Sequence, residues 1–397
     1  MNDGPHTPRR RPHALFYVQH LLGIGHLKRA ATLSRAMEKA GFDMTIVSGG
    51  KVVPGLDIGA ASFVQLAPMR SADELFEVML DDDDRPVDDT YRTARRDRLL
   101  ATLEETAPDL VLTELFPFGR RHLRSEIIPM LDAAQAMRPR PVVASSVRDI
   151  LVEPSKPKRV PEMARWAEQY YDRILIHGDP HLVPFAQTFP LAERIADRLL
   201  YTGYIVDPPP ADAAKRGLGR HEVIVSAGGG ALSEPLLTAA IAARPLTRLR
   251  HHVWRLLAGP SLGEAAVGRL RAAAGDGIIV ERARPDFTAL LANCTLSISQ
   301  GGYNTVMDVL AARARAVIAP YAGGKETEQT LRASLLSRRG ALQVVWEHEL
   351  SPRTLARAAD AALDGPRPDA TGIDTNGAAT SAAMLADLAA SRTVAAT

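Results

Sequence analysis

The chain has 397 residues, of which 46% are hydrophobic and 24% are charged, and its formal net charge is +2. This length suits two globular domains with separate cores, and the near balance of charge excludes an extended nucleic-acid-binding surface. The only cysteine is Cys294, which excludes an internal disulfide framework and any multi-cysteine metal site.

The first twelve residues are polar and basic, so we expect residues 1–12 to form a disordered tail. The apolar run after them is too short for a signal-peptide core, and no later stretch offers about 18 consecutive uncharged apolar residues. A cytoplasmic protein is expected, at most peripheral to the inner face of a membrane. Lys156, Lys158 and Arg159 would give only weak attraction to anionic lipid.

Short β-branched runs alternate with helical patterns, which is typical of parallel sheets connected by crossover helices. The candidate strands are "ALFYVQH", "DMTIVSG", "SFVQLAP", "DLVLTE", "PVVASSV" and "RILIHG", then "EVIVSAGG", "VWRLLAG", "GIIVER", "TLSISQ" and "AVIAPY". Three prolines, residues 208–210, mark a linker. The pattern predicts an α/β fold of two doubly wound Rossmann-like domains facing across a cleft, at 13–207 and 208–375, followed by a terminal helix with a frayed end at 376–397.

The first loop, "GIGHLKRA", follows a strand and opens a helix. Gly23 and Gly25 permit a tight turn there, and His26 stands at the helix start. A dinucleotide fingerprint would need a glycine at Lys28 and an acid after the second strand, so no nicotinamide cofactor is expected. Because an imidazole takes up a proton near neutral pH, His26 is a candidate general base. A helix-capping or merely polar histidine is the alternative.

Two acids follow strands of the first predicted domain, Glu114 in "TELFPFGR" and Asp149 in "SSVRDI". In open α/β sheets the carboxyl ends of strands face the ligand crevice. Either carboxylate could therefore serve as the base if His26 does not. An ion pair between Arg148 and Asp149 is the structural alternative. The same edge would carry Arg120, His177 and Asp179.

A second glycine loop, "SAGGGALSEP", lies between a strand and a helix of the second predicted domain. Adjacent glycines at Gly228, Gly229 and Gly230 would let a phosphate approach the backbone closely, at a helix end that favours negative charge. A plain tight turn uses the same residues.

The stretch "SISQGGYNTVMDVLA" is more specific. A strand leads into Gln300, Gly301 and Gly302, and Asn304 and Asp308 then share one helix face with Gly301. Glycines near a phosphate, with an acid one to two turns later, suit a nucleotide whose ribose hydroxyls donate to the carboxylate. The apolar face of this helix is expected to hold Val306, Val309 and Leu310.

A neighbouring loop, "AGGKETEQ", follows the strand "AVIAPY". It would place Glu326, Glu328 and Gln329 beside the same pocket. "GGKET" lacks the upstream glycine spacing of a P-loop. Two adjacent loops with glycines and sugar-compatible hydrogen-bonding groups are more specific than either loop alone.

The span "SQGGYNTVMDVLA…AVIAPY…KETEQ…LLSRRGAL" resembles the nucleotide-sugar-binding half of GT-B-type glycosyltransferases. It is most similar to the family 28 group that includes the bacterial enzyme adding N-acetylglucosamine to the undecaprenyl-linked muramyl peptide. "GIGHLKRA" and "SAGGG" are similar to that group's first glycine loop and second-domain phosphate loop. The likeness covers both domains, strongly in the second and weakly across residues 60–200.

The resemblance implies roles for individual residues. Asp308 stands where the group has a ribose-binding glutamate, one methylene longer. Glu326 and Gln329 stand where side chains hold the donor sugar, and the glycine loops stand at the diphosphate. Arg284 lies near the backbone that recognises the base and is a departure from the pattern. Gln300 replaces a residue that is often basic, and His26 falls in the acceptor-side cleft.

The resulting hypothesis is a metal-independent, inverting glycosyltransferase without a cofactor. Its donor would be a nucleoside diphosphate sugar, first of all a UDP-sugar, and its acceptor a hydroxyl of a glycan, a lipid-linked carrier or a small molecule. The alternatives are a same-fold nucleotide-sugar epimerase or hydrolase, and a non-catalytic nucleotide-sugar-binding protein. We interpret the acidic run "DDDDRPVDD" as a solvated loop and the pair His251–His252 as lacking companion metal ligands.

Overall fold

The computed structural model describes residues 10–21, 23–72, 78–152, 158–227, 233–260, 262–323, 327–365, 367 and 372–395. The chain forms two compact units. The first unit comprises Met1–Ile205 and Asn376–Thr397, and the second comprises Val206–Thr375. The chain therefore passes into the second unit two residues before the expected boundary.

The disordered tail was expected to span residues 1–12, but Arg10 and Arg11 contact the first unit. Arg10 donates to the Asp109 carboxylate, with its Nη2 3.0 Å from Oδ2. Arg11 donates to the carbonyl of Phe42 at 2.9 Å. These guanidinium contacts anchor both arginines to the first unit. Residues 1–9 lie outside the described residues.

The first unit is built on a seven-stranded parallel sheet. The strands of the first unit are β1 (His13–Val18), β2 (Asp43–Ser48), β3 (Ser62–Gln65), β4 (Arg70–Ser71), β5 (Met79–Leu80), β6 (Leu110–Glu114), β7 (Val142–Arg148), β8 (Arg173–His177) and β9 (Leu199–Tyr201). β4 and β5 form a separate antiparallel pair. The sheet order is β3-β2-β1-β6-β7-β8-β9. The short edge strand β9 was not predicted from the sequence.

Helices cover both faces of this sheet, which explains why its strands are apolar on both sides. They are α1 (Gly25–Lys39), α2 (Asp89–Thr106), α3 (Arg124–Ala136) and α4 (Arg159–Tyr170). Successive side chains of β1 alternate between the two layers. Phe16 packs in the layer of α1, whereas Leu15 and Tyr17 pack with α2, α3 and α4.

The second unit repeats the plan with six parallel strands. They are β10 (Glu222–Ala227), β11 (Val253–Ala258), β12 (Ile278–Arg282), β13 (Leu296–Ser299), β14 (Ala316–Ile318) and β15 (Gln343–Val344). Their order is β12-β11-β10-β13-β14-β15. The helices are α5 (Ala213–Arg216), α6 (Ser233–Ala243), α7 (Glu264–Ala273), α8 (Phe287–Asn293), α9 (Tyr303–Ala311), α10 (Glu328–Arg338) and α11 (Pro352–Asp364).

The terminal helix α12 (Gly377–Ala395) returns to the first unit. Leu385 of α12 is fully buried in the same apolar layer as Leu33 of α1. At the start of the helix, the Gly377 amide donates to the Tyr204 carbonyl at 3.0 Å. A Cβ on Gly377 would lie 2.3 Å from the Gly203 carbonyl oxygen, so only glycine fits there.

Within the described ranges, no helix is both long enough and apolar enough to cross a bilayer.

Candidate active site

Each sheet has one point at which the strand order reverses. In the first unit the chain moves outward from β1 to β2 and β3 and then returns to place β6 on the other side of β1. In the second unit the same reversal lies between the adjacent strands β10 and β13. Connections leave such a pair of strands in opposite directions and open a crevice at their carboxyl ends, where ligands of doubly wound folds bind.

His26 and Glu114 meet at the reversal point of the first unit. His26 is the second residue of α1, which follows β1, and Glu114 is the last residue of β6. Nδ1 of His26 lies 2.9 Å from Oε1 of Glu114. The N-cap of α1 is Ile24, so His26 is not the capping residue. Gly25 begins the helix, and a Cβ on Gly23 would meet no atom within 4 Å.

The pairing fixes which nitrogen of His26 carries the proton. An ionised carboxylate only accepts hydrogen bonds, so the shorter contact, to Glu114, makes Nδ1 the donor and leaves the lone pair on Nε2. Nη2 of Arg29 lies 3.3 Å from Nδ1 but donates to Oε1 of Glu114. No described residue forms a hydrogen bond with Nε2. The side chain of His26 is 16% exposed. A basic nitrogen is therefore oriented away from Glu114 and is accessible from outside the protein.

Glu114 is buried and ionised. Burial alone would raise its pKa, but the charge of Arg29 and the hydrogen bond from His26 hold the pKa of Glu114 far below its usual range. Arg29 contacts Oε1, and the Ser146 hydroxyl donates to Oε2 at 2.8 Å. Because both oxygens are occupied and the proton affinity is low, the geometry suits Glu114 to orienting His26 rather than to taking a proton from a substrate.

The pKa of His26 lies well below 6.5. Burial of the ring is the main cause, the charge of Arg120 adds to it, and the hydrogen bond to Glu114 opposes both. His26 is therefore neutral at physiological pH. A general base must be unprotonated before the reaction starts, and His26 meets that condition.

Asp149, the other candidate base, is not part of this pair. Its side chain is fully buried. Oδ2 accepts a hydrogen bond from the Tyr204 hydroxyl at 2.9 Å, and Oδ1 accepts one from the Ile150 amide at 2.9 Å. These bonds tie the end of β7 to the segment after β9. The arrangement suits a structural role better than contact with a substrate.

Sequence reasoning missed two partners of Glu114. Arg29 lies one helical turn after His26, on the same face of α1, and this spacing was a readable signal. Ser146 stands in the quoted strand "PVVASSV", and the sheet places it opposite Glu114 in the register of β6 and β7. A hydroxyl within a buried strand was the only sign of its role.

The two predicted diphosphate loops follow β10 and β13, the strands on either side of the second reversal point. Gly228, Gly229 and Gly230 lie outside the described residues. Gly301 follows β13 with φ +89°, and a Cβ there would lie 2.6 Å from Cγ2 of Ile318. Only glycine suits this position, because both the backbone angle and the space exclude a side chain.

Helix α9 begins at this loop, with Gly302 as its N-cap. Its apolar residues Val306, Val309 and Leu310 are buried, as expected. Asn304 is half-buried and Asp308 is buried, one turn further along. Gln300, just before the loop, is also buried. The loop and helix thus bring the predicted donor-binding groups together on consecutive turns, with Asp308 5% exposed.

The loop "AGGKETEQ" leads into α10. Glu328 accepts a hydrogen bond from Arg332 at 2.9 Å, and both side chains are buried. The guanidinium carbon of Arg332 lies 4.9 Å from the ring centroid of Tyr303 in α9. Oε1 of Gln329 accepts a hydrogen bond from the Tyr321 amide at 3.2 Å. The Arg332–Tyr303 contact joins α10 to α9, and the Gln329 bond joins α10 to the segment after β14. Glu326 lies outside the described residues.

Arg284, expected near the base of a nucleotide, is held by two acids. Its Nε and Nη2 donate to the Asp286 carboxylate at 2.8 and 2.7 Å, and Nη1 donates to Glu281 at 3.3 Å. The bond to Asp286 raises the pKa of Arg284 further. The guanidinium therefore shapes the turn after β12, and its contact with a nucleotide base stays a prediction.

In the described part of the chain, no group of three or more His, Cys, Asp or Glu side chains is placed to hold a metal ion.

Comparisons with known proteins show which proteins the chain is similar to. The calicheamicin glycosyltransferase CalG4 shares the fold, with a TM-score of 0.60 and 16% identity over 97% of this chain and 98% of that one. Residues 224–387 match the glycosyltransferase family 28 C-terminal domain. A glycosyltransferase of Methanopyrus kandleri described as uncharacterized is 26% identical over 269 residues, 64% of this chain and 72% of that protein. The chain is a glycosyltransferase of GT-B fold whose second half matches the family 28 C-terminal domain.

A second relative of this glycosyltransferase is the UDP-N-acetylglucosamine--N-acetylmuramyl-(pentapeptide) pyrophosphoryl-undecaprenol N-acetylglucosamine transferase of Brucella anthropi. The two are 28% identical over 205 residues, 49% of this chain and 54% of the relative. The family resemblance and the fold class expected from the sequence are thus confirmed. The roles of individual residues stay predictions.

Proposed function

We propose that this glycosyltransferase moves a sugar from a nucleoside diphosphate sugar to a hydroxyl acceptor, with His26 as general base. The observation that carries the proposal is the 2.9 Å contact between Nδ1 of His26 and Oε1 of Glu114. It leaves the lone pair of Nε2 as the proton acceptor and places a negative charge behind the ring. A histidine held by a buried carboxylate is a recurring arrangement for removing a proton from a hydroxyl group.

The proposed reaction is a single displacement. The acceptor O–H bond breaks, its proton passes to Nε2 of His26, and the oxygen forms a bond with the anomeric carbon of the donor. The bond from that carbon to the diphosphate breaks, and the nucleoside diphosphate leaves with the electron pair. The imidazolium formed at His26 is stabilised by the ionised Glu114. Attack opposite the leaving group inverts the anomeric carbon.

The second unit supplies the donor-binding groups in this proposal. The amides of the Gly301–Gly302 loop and of the first turn of α9 face the diphosphate, and their partial positive charge stabilises the leaving group. The proposed mechanism needs no metal ion for this purpose. Asp308 accepts from ribose hydroxyls, and Gln329 contacts the sugar. Gly228, Gly229, Gly230, Arg284, Gln300, Asn304, Glu326 and Glu328 complete the proposed site.

A UDP-sugar is the first donor to test, because the Brucella relative is named for UDP-N-acetylglucosamine. That relative's acceptor is an undecaprenol-linked muramyl peptide by its name. The acceptor of this chain is proposed only as a class, a hydroxyl of a lipid-linked carrier, a glycan or a small molecule. The alignment with the relative spans about half of each protein, so its substrates are a starting point for screening.

The experiment is a two-stage screen of the purified protein. A panel of UDP-, dTDP- and GDP-sugars is first ranked by thermal shift, since a ligand that binds the folded state raises its stability with the logarithm of concentration over Kd. The best donor is then incubated with and without acceptors, and nucleoside diphosphate and glycosylated product are measured. Acceptor-dependent release supports the proposal. Turnover without acceptor would indicate an epimerase or hydrolase, and binding without release would indicate a binding protein.

A further inference from the structure

A line of hydrogen bonds runs behind Glu114 across the carboxyl ends of the first sheet. The Ser146 hydroxyl lies 2.8 Å from Oε2 of Glu114 and 2.8 Å from Nε2 of His177. Nδ1 of His177 lies 2.9 Å from the Thr202 hydroxyl. All four side chains are buried. They belong to β6, β7, β8 and the residue after β9, so the line follows the order of adjacent strands.

The direction of each hydrogen bond follows from the acceptor at the end of the line. The ionised Glu114 cannot donate, so the Ser146 O–H points to it and the Ser146 oxygen accepts from Nε2–H of His177. Burial, with the charge of Arg29 adding to it, lowers the pKa of His177 to about 3, so the ring is neutral with a single N–H. Nδ1 of His177 then carries a lone pair and faces the Thr202 hydroxyl, which also lies within donating distance of the Gly203 carbonyl at 3.0 Å. The Ser146 hydroxyl and the His177 N–H both point towards Glu114.

We propose that Ser146 and His177 are positioning residues that act on His26 through Glu114, an inference that rests on the proposed function. The carboxylate of Glu114 has two oxygens, and His26 needs Oε1. Ser146 fixes the carboxylate rotation by binding Oε2. His177 in turn fixes the hydroxyl rotor of Ser146, because its N–H occupies the side of the oxygen that faces away from Glu114.

Loss of these hydrogen bonds would change the orientation of His26, whereas loss of ordinary core packing would change only the stability of the fold. Removing His177 frees the Ser146 hydroxyl to rotate. The buried Oε2 of Glu114 then loses a hydrogen-bond donor of fixed direction. The carboxylate is less well held, so His26 loses part of its orientation and of its charge stabilisation. Donor binding to the second unit is not involved. The expected signature is a fall in kcat with little change in the donor KM.

The test compares two substitutions at one buried position. His177→Phe keeps an aromatic ring but removes both hydrogen bonds, whereas His177→Gln keeps an N–H near the position of Nε2. His177→Phe is expected to lower kcat by about 10–100-fold, the usual cost of losing an orienting partner. His177→Gln is expected to recover most of that loss. Near-equal kcat in the two variants, or a kcat of His177→Phe within about threefold of wild type, would overturn the inference.

Ser146→Ala provides a second route if His177→Phe does not fold. Its matched control is Ser145→Ala, since Ser145 is also buried in β7 but donates to the Phe116 carbonyl at 2.7 Å on the opposite face. Ser146→Ala should lower kcat, and Ser145→Ala should not. Long-range ¹⁵N–¹H spectra of His26 add a readout independent of activity: the proton is expected on Nδ1 in wild type and redistributed between the nitrogens in Ser146→Ala.

Combining His177→Phe with His26→Ala tests the positioning role of His177 separately from the general-base role of His26. If His177 acts through His26, then His177→Phe lowers kcat no further in the His26→Ala background. An equal further loss there would refute the positioning role while leaving His26 as base. Retention of activity by His26→Ala alone would instead refute the proposed function.

Discussion

Nδ1 of His26 lies 2.9 Å from Oε1 of Glu114, although 88 positions separate the two residues in the chain. The parallel pairing of β1 with β6 brings them together, because both strands end at the same edge of the sheet. Helix α1 starts beside that edge and presents His26 in its first turn. A titratable ring, a buried carboxylate and a strand reversal point thus coincide in the first unit.

Glu114→Gln tests the partnership at constant size. A glutamine can donate to Nδ1, which would favour the proton on Nε2 and leave no lone pair for the acceptor. It also removes the charge that stabilises the imidazolium. We expect kcat to fall by roughly 10²–10⁴-fold, the usual contribution of a general base. Steady-state kinetics check this, with Glu162→Gln, which affects only the ion pair with Arg121 near the surface, as control. Equal activity of the two variants would argue against the partnership.

The pH profile of kcat/KM should show the lowered pKa of His26. Above that pKa the ring is neutral and can act as base, and activity is lost only as the pH falls through it. The acid limb is therefore expected below pH 6.5. Arg120 is one cause of the lowered pKa, so Arg120→Met should move the limb upward. A wild-type limb at or above 6.5, or a downward shift in Arg120→Met, would contradict the assignment.

The buried ion pair between Arg95 and Glu126 should contribute strongly to the free energy of unfolding of the first unit. Arg95 donates through Nε and Nη2 to the two carboxylate oxygens at 2.9 and 2.8 Å, and both side chains are almost fully buried. Arg95→Met leaves the Glu126 charge buried without its cation and should lower the free energy of unfolding by about 3–5 kcal/mol.

Urea unfolding measures this effect, and Arg98→Met is the matched control. Arg98 lies one turn further along α2 and pairs with Glu105 at 3.1 Å, with both side chains largely exposed. Its loss should cost no more than about 1 kcal/mol. Similar costs for the two variants would show that the interior pair adds nothing beyond a surface contact.

Asp308→Asn tests the proposed ribose contact at constant volume. A hydrogen bond to a charged group contributes about 1.5–3 kcal/mol, so the affinity for the nucleoside diphosphate should fall roughly 10–100-fold. Calorimetric titration measures it, and Asp364→Asn, on the exposed end of α11, is the control. Unchanged affinity in Asp308→Asn would remove Asp308 from the donor site.

The sequence predicted the elements that carry long apolar runs and the loops between them. Eleven of the strands were readable because a strand buried on both faces is a short β-branched run bounded by turns. β4, β5, β9 and β15 were missed, since strands of two or three residues have too few side chains to form a pattern. The docking of α12 on the first unit was unreadable, because an alanine-rich helix shows no distinct apolar face.

The candidate site was predicted only in part, because some of its residues leave a local signal in the sequence and others do not. Glycine loops and a helix-start histidine leave local signals, so His26, Gly301 and Asp308 could be singled out. Pairings across strands leave none, because they depend on register. Glu114 and Asp149 were equal candidates in the sequence, and only the sheet distinguishes them, since it brings His26 to Glu114 and Tyr204 to Asp149.

The most direct measurement is the kinetics of His26→Ala with the donor and acceptor found by screening. If Nε2 of His26 takes the acceptor's proton, kcat falls by roughly 10²–10⁴-fold. Donor affinity stays unchanged, and Asp149→Asn, measured in parallel on folded protein, keeps most of its activity. Transfer by His26→Ala within about threefold of wild type would contradict the proposed role of His26.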